Sequence, residues 1–308
     1  MTWIARAPAN IALIKYMGKR DRNVPMNVSL SYCLDNFTTE VILDLLGDET
    51  TADILRSQEN LSDKETQRFL RHLAYIKHIT AFRGNFAVKS RNNFPHSVGI
   101  ASSASSFAAL TLCAFDAICD IQKTPRPPMD FMSAVSREGS GSSCRSFFSP
   151  WCVWDENSAR KIDIKNFELL RHDLALVSSE KKKISSSDAH KIVCTSLLMN
   201  GRRERAEVRF HGLVSALNAG NWQDAYQICW EEFSDMHAMF ETSLPHFGYI
   251  LPDTIRVLTE VRNFWKEHND GPIATVDAGP NVHLLWRNDA ESLRTKFNEK
   301  TNYLNLRK

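Results

Sequence analysis

The hydrophobic rhythm of the chain changes near residue 178, and that change limits the fold more than any single motif. Before it, apolar and β-branched residues alternate with polar ones in IARAPANIALIKY, VSLSYCL and FTTEVILDLL, all within residues 1–47. That alternation is the period of half-buried strands. NFAVKSRNNF repeats it, and two more strands are expected across residues 145–178. After the change, helical spacing dominates over 186–199, 203–218, 221–239 and 252–268. Two short strands, IATVD and NVHLLW, and a last helix near 288–300 complete the pattern. Strands early and helices late predict an α+β chain of two intimately joined domains, 1–178 and 179–308. Within the first, residues 62–80 predict a helix whose Ser62 and Glu65 form a capping box.

Bulk properties exclude some classes of function. A net charge of +2 over 308 residues is too small to make nucleic acid or a membrane surface the main partner. Apolar runs fall short of the roughly 18 residues a membrane span needs. The early apolar stretches are short, broken by Pro8 and Asn10, and follow no basic segment, so no signal peptide is expected. Seven cysteines, odd in number and without a C-x-x-C pair, predict free thiols and a cytoplasmic protein.

The chemistry concentrates in two serine-rich segments. In RNNFPHSVGIASSASSFAAL (91–110), Ser97, Ser102, Ser103, Ser105 and Ser106 crowd beside Gly99 just where an apolar helical run begins. A helix N-terminus offers unsatisfied N–H groups and the positive end of the helix dipole, which suits an anion. Gly99, Ala101 and Ala104 allow close approach of a polyphosphate, and Ser102, Ser103, Ser105 and Ser106 add hydroxyls or a magnesium ligand, Ser103 being the candidate. No Walker loop and no protein-kinase motif is present. From this segment alone, a small-residue helix start packed closely on its neighbours is an equal reading. REGSGSSCRSFF (137–148) again sets glycine and serine at a helix end, now with Arg145. Cys144 stands where a dinucleotide fingerprint needs its third glycine, and the segment follows a helix rather than a strand, which excludes that reading. A guanidinium in a hydroxyl-lined loop suits a carboxylate or a phosphate.

Five segments in order resemble one family: APANIALIKYMGKRD (7–21), NNFPHSVGIASSASSFAAL (92–110), GSGSSCRS (139–146), KKKISSS (181–187) and TVDAGPN (275–281). They are similar to those of the mevalonate diphosphate decarboxylases, within the galactokinase, homoserine kinase, mevalonate kinase and phosphomevalonate kinase superfamily. The resemblance implies a two-domain kinase-type fold with its cleft between the domains. It implies ATP and Mg²⁺ as cofactors, a phosphorylated mevalonate as substrate, and a homodimer. It makes Asp277 the group at the C3 hydroxyl, Lys15 a neighbour of the reacting centre, and Arg145 the grip on the C1 carboxylate. Asn10, Tyr16, Met17, Gly18, Lys19, Ser140, Gly141, Ser142, Ser143, Cys144 and Ser187 become substrate contacts. Gly99, Ala101, Ser102, Ser103, Ala104 and Ser105 become the ATP loop. Three departures stand out: Met17 where the family commonly has Trp, Ser149-Pro150 where it has Gly-Gly, and Glu65 where it often has Arg. The last removes a phosphate-binding charge that Lys64 or Arg68 would have to replace. It keeps a monophosphate-specific decarboxylase, and a kinase that does not decarboxylate, as rival readings.

Overall fold

The computed structural model describes residues 1–47, 49–57, 62–94, 102–156, 158–180 and 182–301, with the backbone of 306–307. The expected Gly99 and Ala101 lie outside the described residues. In chain order the elements are β1 (Thr2–Ile14), β2 (Ser29–Leu45), β3 (Ile54–Ser57), α1 (Asp63–Ile79), β4 (Phe86–Asn92), α2 (Ser102–Gln122), α3 (Met129–Gly139), β5 (Trp151–Trp154), β6 (Ala159–Lys161) and β7 (Leu170–Ala175). Then follow α4 (Ser186–Ile192), α5 (Arg202–Ala219), α6 (Trp222–Glu241), α7 (Pro252–His268), β8 (Ile273–Val276), β9 (Val282–Arg287), α8 (Glu291–Lys300) and β10 (Leu306–Arg307). The strands form two sheets: β3-β4-β2-β5-β6 with β1 paired to β2, and β10-β7-β9-β8. The mixed α+β architecture is as the periodicity predicts, and β7 joins the second sheet through β9.

Several local expectations change. VSLSYCL and FTTEVILDLL are one strand, β2, because the polar Asp35-Asn36 pair is a bulge and not a break. Pro8 pairs with Thr38 and Ala9 with Leu34, which leaves Asp35, Asn36 and Phe37 unmatched in β1. The chain between 145 and 178 carries three strands instead of two. The helix expected over 186–199 stops at Ile192 and continues as two single turns, because Ser196 is extended (φ −72°, ψ 134°) and caps Leu198. The short parallel strand β3, with Ile54 opposite Ala87, was not expected. α2 exceeds the expected limit on apolar runs: by length and composition it can cross a membrane, but 72% of its apolar stretch is buried inside the fold.

One strand carries both halves. Ala7 of β1 packs with Phe69, Leu73, Leu110 and Phe115 from α1 and α2. Ala9, Ile11, Leu13 and Ile14 pack with Leu213, Phe233, Phe264 and Val276 from the second half. The residue after β1, Lys15, therefore emerges where both cores meet.

Candidate active site

Lys15 is held at the end of β1, with its side chain 2% exposed. Its Nζ lies 2.6 Å from Oδ1 of Asp277, whose side chain is 28% exposed. Asp277 follows β8 directly. Gly279 N–H donates to the Asp277 carbonyl at 2.7 Å, and Asn281 ties the same turn to the backbone of Val177 and Ser178. Burial, the largest single influence, would push the Asp277 carboxyl up, but the charge and hydrogen bond of Lys15, with His283 and Arg145, together outweigh it and hold the group below the usual carboxylate range. Asp277 is thus an anion near neutrality, too weak a base to take an alcohol proton in advance. It can orient a hydroxyl and accept its proton as a bond forms.

Arg145 is buried. Its Nε donates to Asn10 Oδ1 at 3.0 Å and its Nη1 to Ser29 Oγ at 3.2 Å, with the guanidinium over the Trp154 ring. Asn10 turns its amide to the Ser142 carbonyl and to Ser146 Oγ, so it couples β1 to the arginine and to the serine loop. That loop is not irregular: Gly141–Phe147 winds as 3-10 turns. Ser143 is consumed inside it by Ser136 and the Ser140 carbonyl, and Cys144 is buried with its thiol pushed up by that burial. Glycine at 141 lets Tyr16 approach closely, since a Cβ there would meet Tyr16 Oη at 2.8 Å and push the ring away. Gly141 and Ser142 remain partly accessible.

The two serine segments meet: Ser140 Oγ donates to Ser103 Oγ at 3.3 Å. Ser102 and Ser103 are partly accessible at the start of α2, whereas Ala104 and Ser105 face inward. The Ser105 hydroxyl is shared with Thr39 Oγ1 and the Ser102 carbonyl, which makes it a brace between α2 and β2 and not a free donor. No group of three metal-ligating side chains exists among the described residues. The donor set fits magnesium carried on phosphate oxygens, with one hydroxyl and water, because that ion is seldom caged by protein alone.

In KYMGK, Gly18 has φ +82°, and its N–H donates to His190 Nδ1 at 3.1 Å. His190 can accept because burial, then the charges of Lys19 and Arg145, push its pKa down to about 3. Tyr16 packs between Trp154 and His190, its ring tilted against both. Met17 packs into an apolar cluster with Val193, Met236 and Phe240, so its side chain anchors the strand end. Lys19 Nζ donates to Asn23 Oδ1, and Asn23 in turn grips the Arg137 and Glu138 carbonyls. Arg68 donates twice to the next carbonyl, Gly139. Burial, then the nearby charges of Arg68 and Lys191, holds the Lys19 ammonium below its ordinary range. Glu65 is turned to Ser62 as the capping box predicts, with Oε2 2.9 Å from the Ser62 N–H. Ser185 caps α4, and Ser187 lies exposed in its first turn. Among the described residues no ion pair engages Lys19, Arg68, Arg145 or Lys191. Sequence reasoning did not place Lys191 or Lys182 here. Lys182 attracts Asp277 and sits 3.3 Å (Cε) from where a Cβ on Gly279 would be. Only the lysine run preceding the serines hinted at it.

Residues 7–164 match the family described as the diphosphomevalonate decarboxylase-like N-terminal domain, and residues 174–302 the mevalonate 5-diphosphate decarboxylase C-terminal domain. The chain belongs to the mevalonate diphosphate decarboxylase family. A crystal structure of a mevalonate diphosphate decarboxylase from Legionella pneumophila is 46% identical, with a TM-score of 0.92 over 97% of each chain. The structure of MDDEF in complex with MVAPP, AMPPCP and magnesium is 29% identical, with a TM-score of 0.87 over 97% of this chain and 93% of that one. Among curated relatives, the diphosphomevalonate decarboxylase of Eremothecium gossypii is 28% identical over 93% of this chain and 78% of its own length. The fold of this mevalonate diphosphate decarboxylase family member is accordingly that of the small-molecule kinase superfamily, as its ordered motifs imply.

Proposed function

We propose that the chain catalyses ATP-dependent decarboxylation of mevalonate 5-diphosphate to isopentenyl diphosphate. The observation that carries this reading is the Lys15–Asp277 pair, its lysine buried, beside Arg145, in a site where no ion pair engages Lys19, Arg68 or Arg145 among the described residues. Asp277 orients the C3 hydroxyl. As that oxygen bonds to the γ-phosphorus and ADP leaves, the proton passes to the carboxylate. Lys15 keeps Asp277 ionised and, with the start of α2, offsets charge on the transferring phosphoryl group. Arg145 aligns the C1 carboxylate. The C1–C2 bonding pair then forms the C2=C3 double bond as phosphate leaves C3, and CO₂ departs. Ser103 would be the hydroxyl that holds magnesium when it binds with ATP, and the ion would supply charge neutralisation of the facing phosphates.

Lys19, Arg68 and Lys191 support the diphosphate over the monophosphate, since Arg68 supplies the cation that Glu65 lacks. In the same reading Tyr16, Gly18, Gly141, Ser142 and Ser187 border the substrate and Ser102 the nucleotide. The protein divides into domains near residue 178 and works as a cytoplasmic homodimer. All seven cysteines are unpaired, which supports a reducing compartment. The test is release of CO₂ and ADP in equal amounts from mevalonate 5-diphosphate with ATP and Mg²⁺. ADP formation with a stable phosphorylated product and no CO₂ would leave only the kinase reading. Sedimentation equilibrium tests the dimer.

A further inference from the structure

The environment behind Lys15 is more heavily built than one ammonium requires. The Lys15 N–H donates to Glu232 Oε1 at 2.9 Å. The Lys15 carbonyl accepts from Arg202 Nη2 at 3.1 Å and from Asn27 Nδ2 at 2.9 Å. Glu232 and Arg202 are themselves paired, through Nη1–Oε2 at 3.0 Å and a short Nη2–Oε1 contact. Both are buried, at 0% and 2% exposure. The peptide groups on either side of one lysine are thus held by opposite charges of a single ion pair. Outside it, Asp235 bonds Arg202, Arg205 and Arg209, and Arg209 also reaches Glu232. Arg202, Arg205 and Arg209 share one face of α5, and Glu232 and Asp235 lie one turn apart on α6.

Fold stability is a poor reason for such a pair. Desolvating two charges offsets most of their attraction, and an apolar pair of similar volume does as well or better. A pair retained in the core against that cost is explained by what it positions. Among the described residues, the only backbone it touches outside its own helices is that of Lys15, whose Nζ must meet Asp277 at 2.6 Å. Reacting groups displaced by about 1 Å lose roughly 10²-fold in rate. We propose that Glu232 and Arg202 are positioning residues that fix the backbone of Lys15, so that its ammonium meets Asp277 and keeps it aligned. This rests on the reading above for the identity of the reaction, though not for the geometry.

The test compares Glu232→Gln with Asp235→Asn. Asp235 belongs to the same network but does not touch Lys15, so a merely structural network makes the two variants alike. ADP formation is measured, since decarboxylase and kinase readings share it, and the Asp277 carboxyl is titrated by ¹³C NMR, assigned with Asp277→Asn. Expected for Glu232→Gln is a kcat loss on the order of 10–10²-fold, KM values within about twofold, and an upward move of the Asp277 titration. Asp235→Asn keeps kcat and the Asp277 titration close to the parent while losing thermal stability. If both variants lose stability alike and neither moves the Asp277 titration or kcat, the proposal is overturned. Should Glu232→Gln fail to fold, Arg202→Lys, which retains charge but loses the forked N–H groups, is read the same way. A parent that turns over no phosphorylated mevalonate sinks the proposed reaction, while the Asp277 titration still decides the positioning role.

Discussion

Replacing Asp277 by asparagine separates what the carboxylate does for the reaction from what it does for the fold. Breaking a buried ion pair costs about 3–5 kcal/mol when it strands a charge. Here Lys15 is the buried partner, with 2% of its side chain exposed, whereas Asp277 is 28% exposed. An asparagine Oδ1 can still accept from Nζ. The stability loss should therefore be smaller, about 1–2 kcal/mol, because a neutral acceptor remains for the buried donor. For a chain of this size that is a fall in Tm of about 1.5–3 °C. The effect on turnover is expected to be far larger, roughly 10²–10⁴-fold, as for a positioned acid–base group. That is about 3–5 kcal/mol of barrier. Melting curves give the first quantity, and ADP release at saturating ATP gives the second. ATP binding, followed with a fluorescent nucleotide, should survive because the serine start of α2 is untouched. Near-native turnover in a folded Asp277→Asn protein would remove Asp277 from the chemistry. A rate loss no larger than the loss of folded protein would make the pair merely structural.

Three further outcomes are expected. Arg145→Lys should lower kcat severely, because an ammonium cannot keep the bonds to Asn10 and Ser29 while offering a fork to a carboxylate; parent-like kinetics would place the carboxylate elsewhere. Arg68→Ala should raise KM for mevalonate 5-diphosphate more than for the 5-phosphate and leave kcat nearly unchanged, since that contact is equal in ground and transition states. Equal effects on both substrates would put Arg68 outside the terminal-phosphate contact. Finally, burial drives His72 and His190 down to about 3 and His237 to about 4. The unfolded chain therefore takes up these protons first, so stability is full above the ordinary histidine value of ~6.5 and falls as pH drops toward the folded values. Each histidine contributes a slope of about 1.4 kcal/mol per pH unit in that window. A Tm that stays level between pH 7 and pH 4 would contradict the buried neutral rings.

Local physics was legible in the sequence, and long-range physics was not. The Ser62–Glu65 capping box is a contact between residues three apart, and the structure contains it. The helix of residues 252–268 has those limits in the structure, since Pro252 opens it at a position where its missing N–H does no harm. β2 was misread as two strands because a bulge and a turn use the same polar residues. Which of them forms depends on the partner strand. Among the serines, the sequence offered Ser103 and Ser105 alike as hydroxyl donors. Both follow the same local rule, and only the sheet beneath α2 decides that Ser105 turns to Thr39. Glu232 was invisible for a stronger reason: it meets Lys15 across 217 residues, and an acid in an amphipathic helix ordinarily faces water.

The charges of this protein sort by the company they keep. Arg202, Arg205 and Arg209 are each matched to carboxylates inside the protein, and so is Lys15. Lys19, Arg68, Arg145 and Lys191 are instead directed by neutral acceptors or by their place in the chain, with carbonyls and amide oxygens orienting three of them without cancelling their charge. Neutral anchors suit a polyanion site, because a carboxylate paired to each of these cations would cancel the charge that attracts the ligand. A net charge of +2 therefore says little about the ligand. What points to it is that Glu232 and Asp235 are matched to arginines on the backbone side of the reacting lysine, while Lys19, Arg68 and Arg145 keep neutral partners.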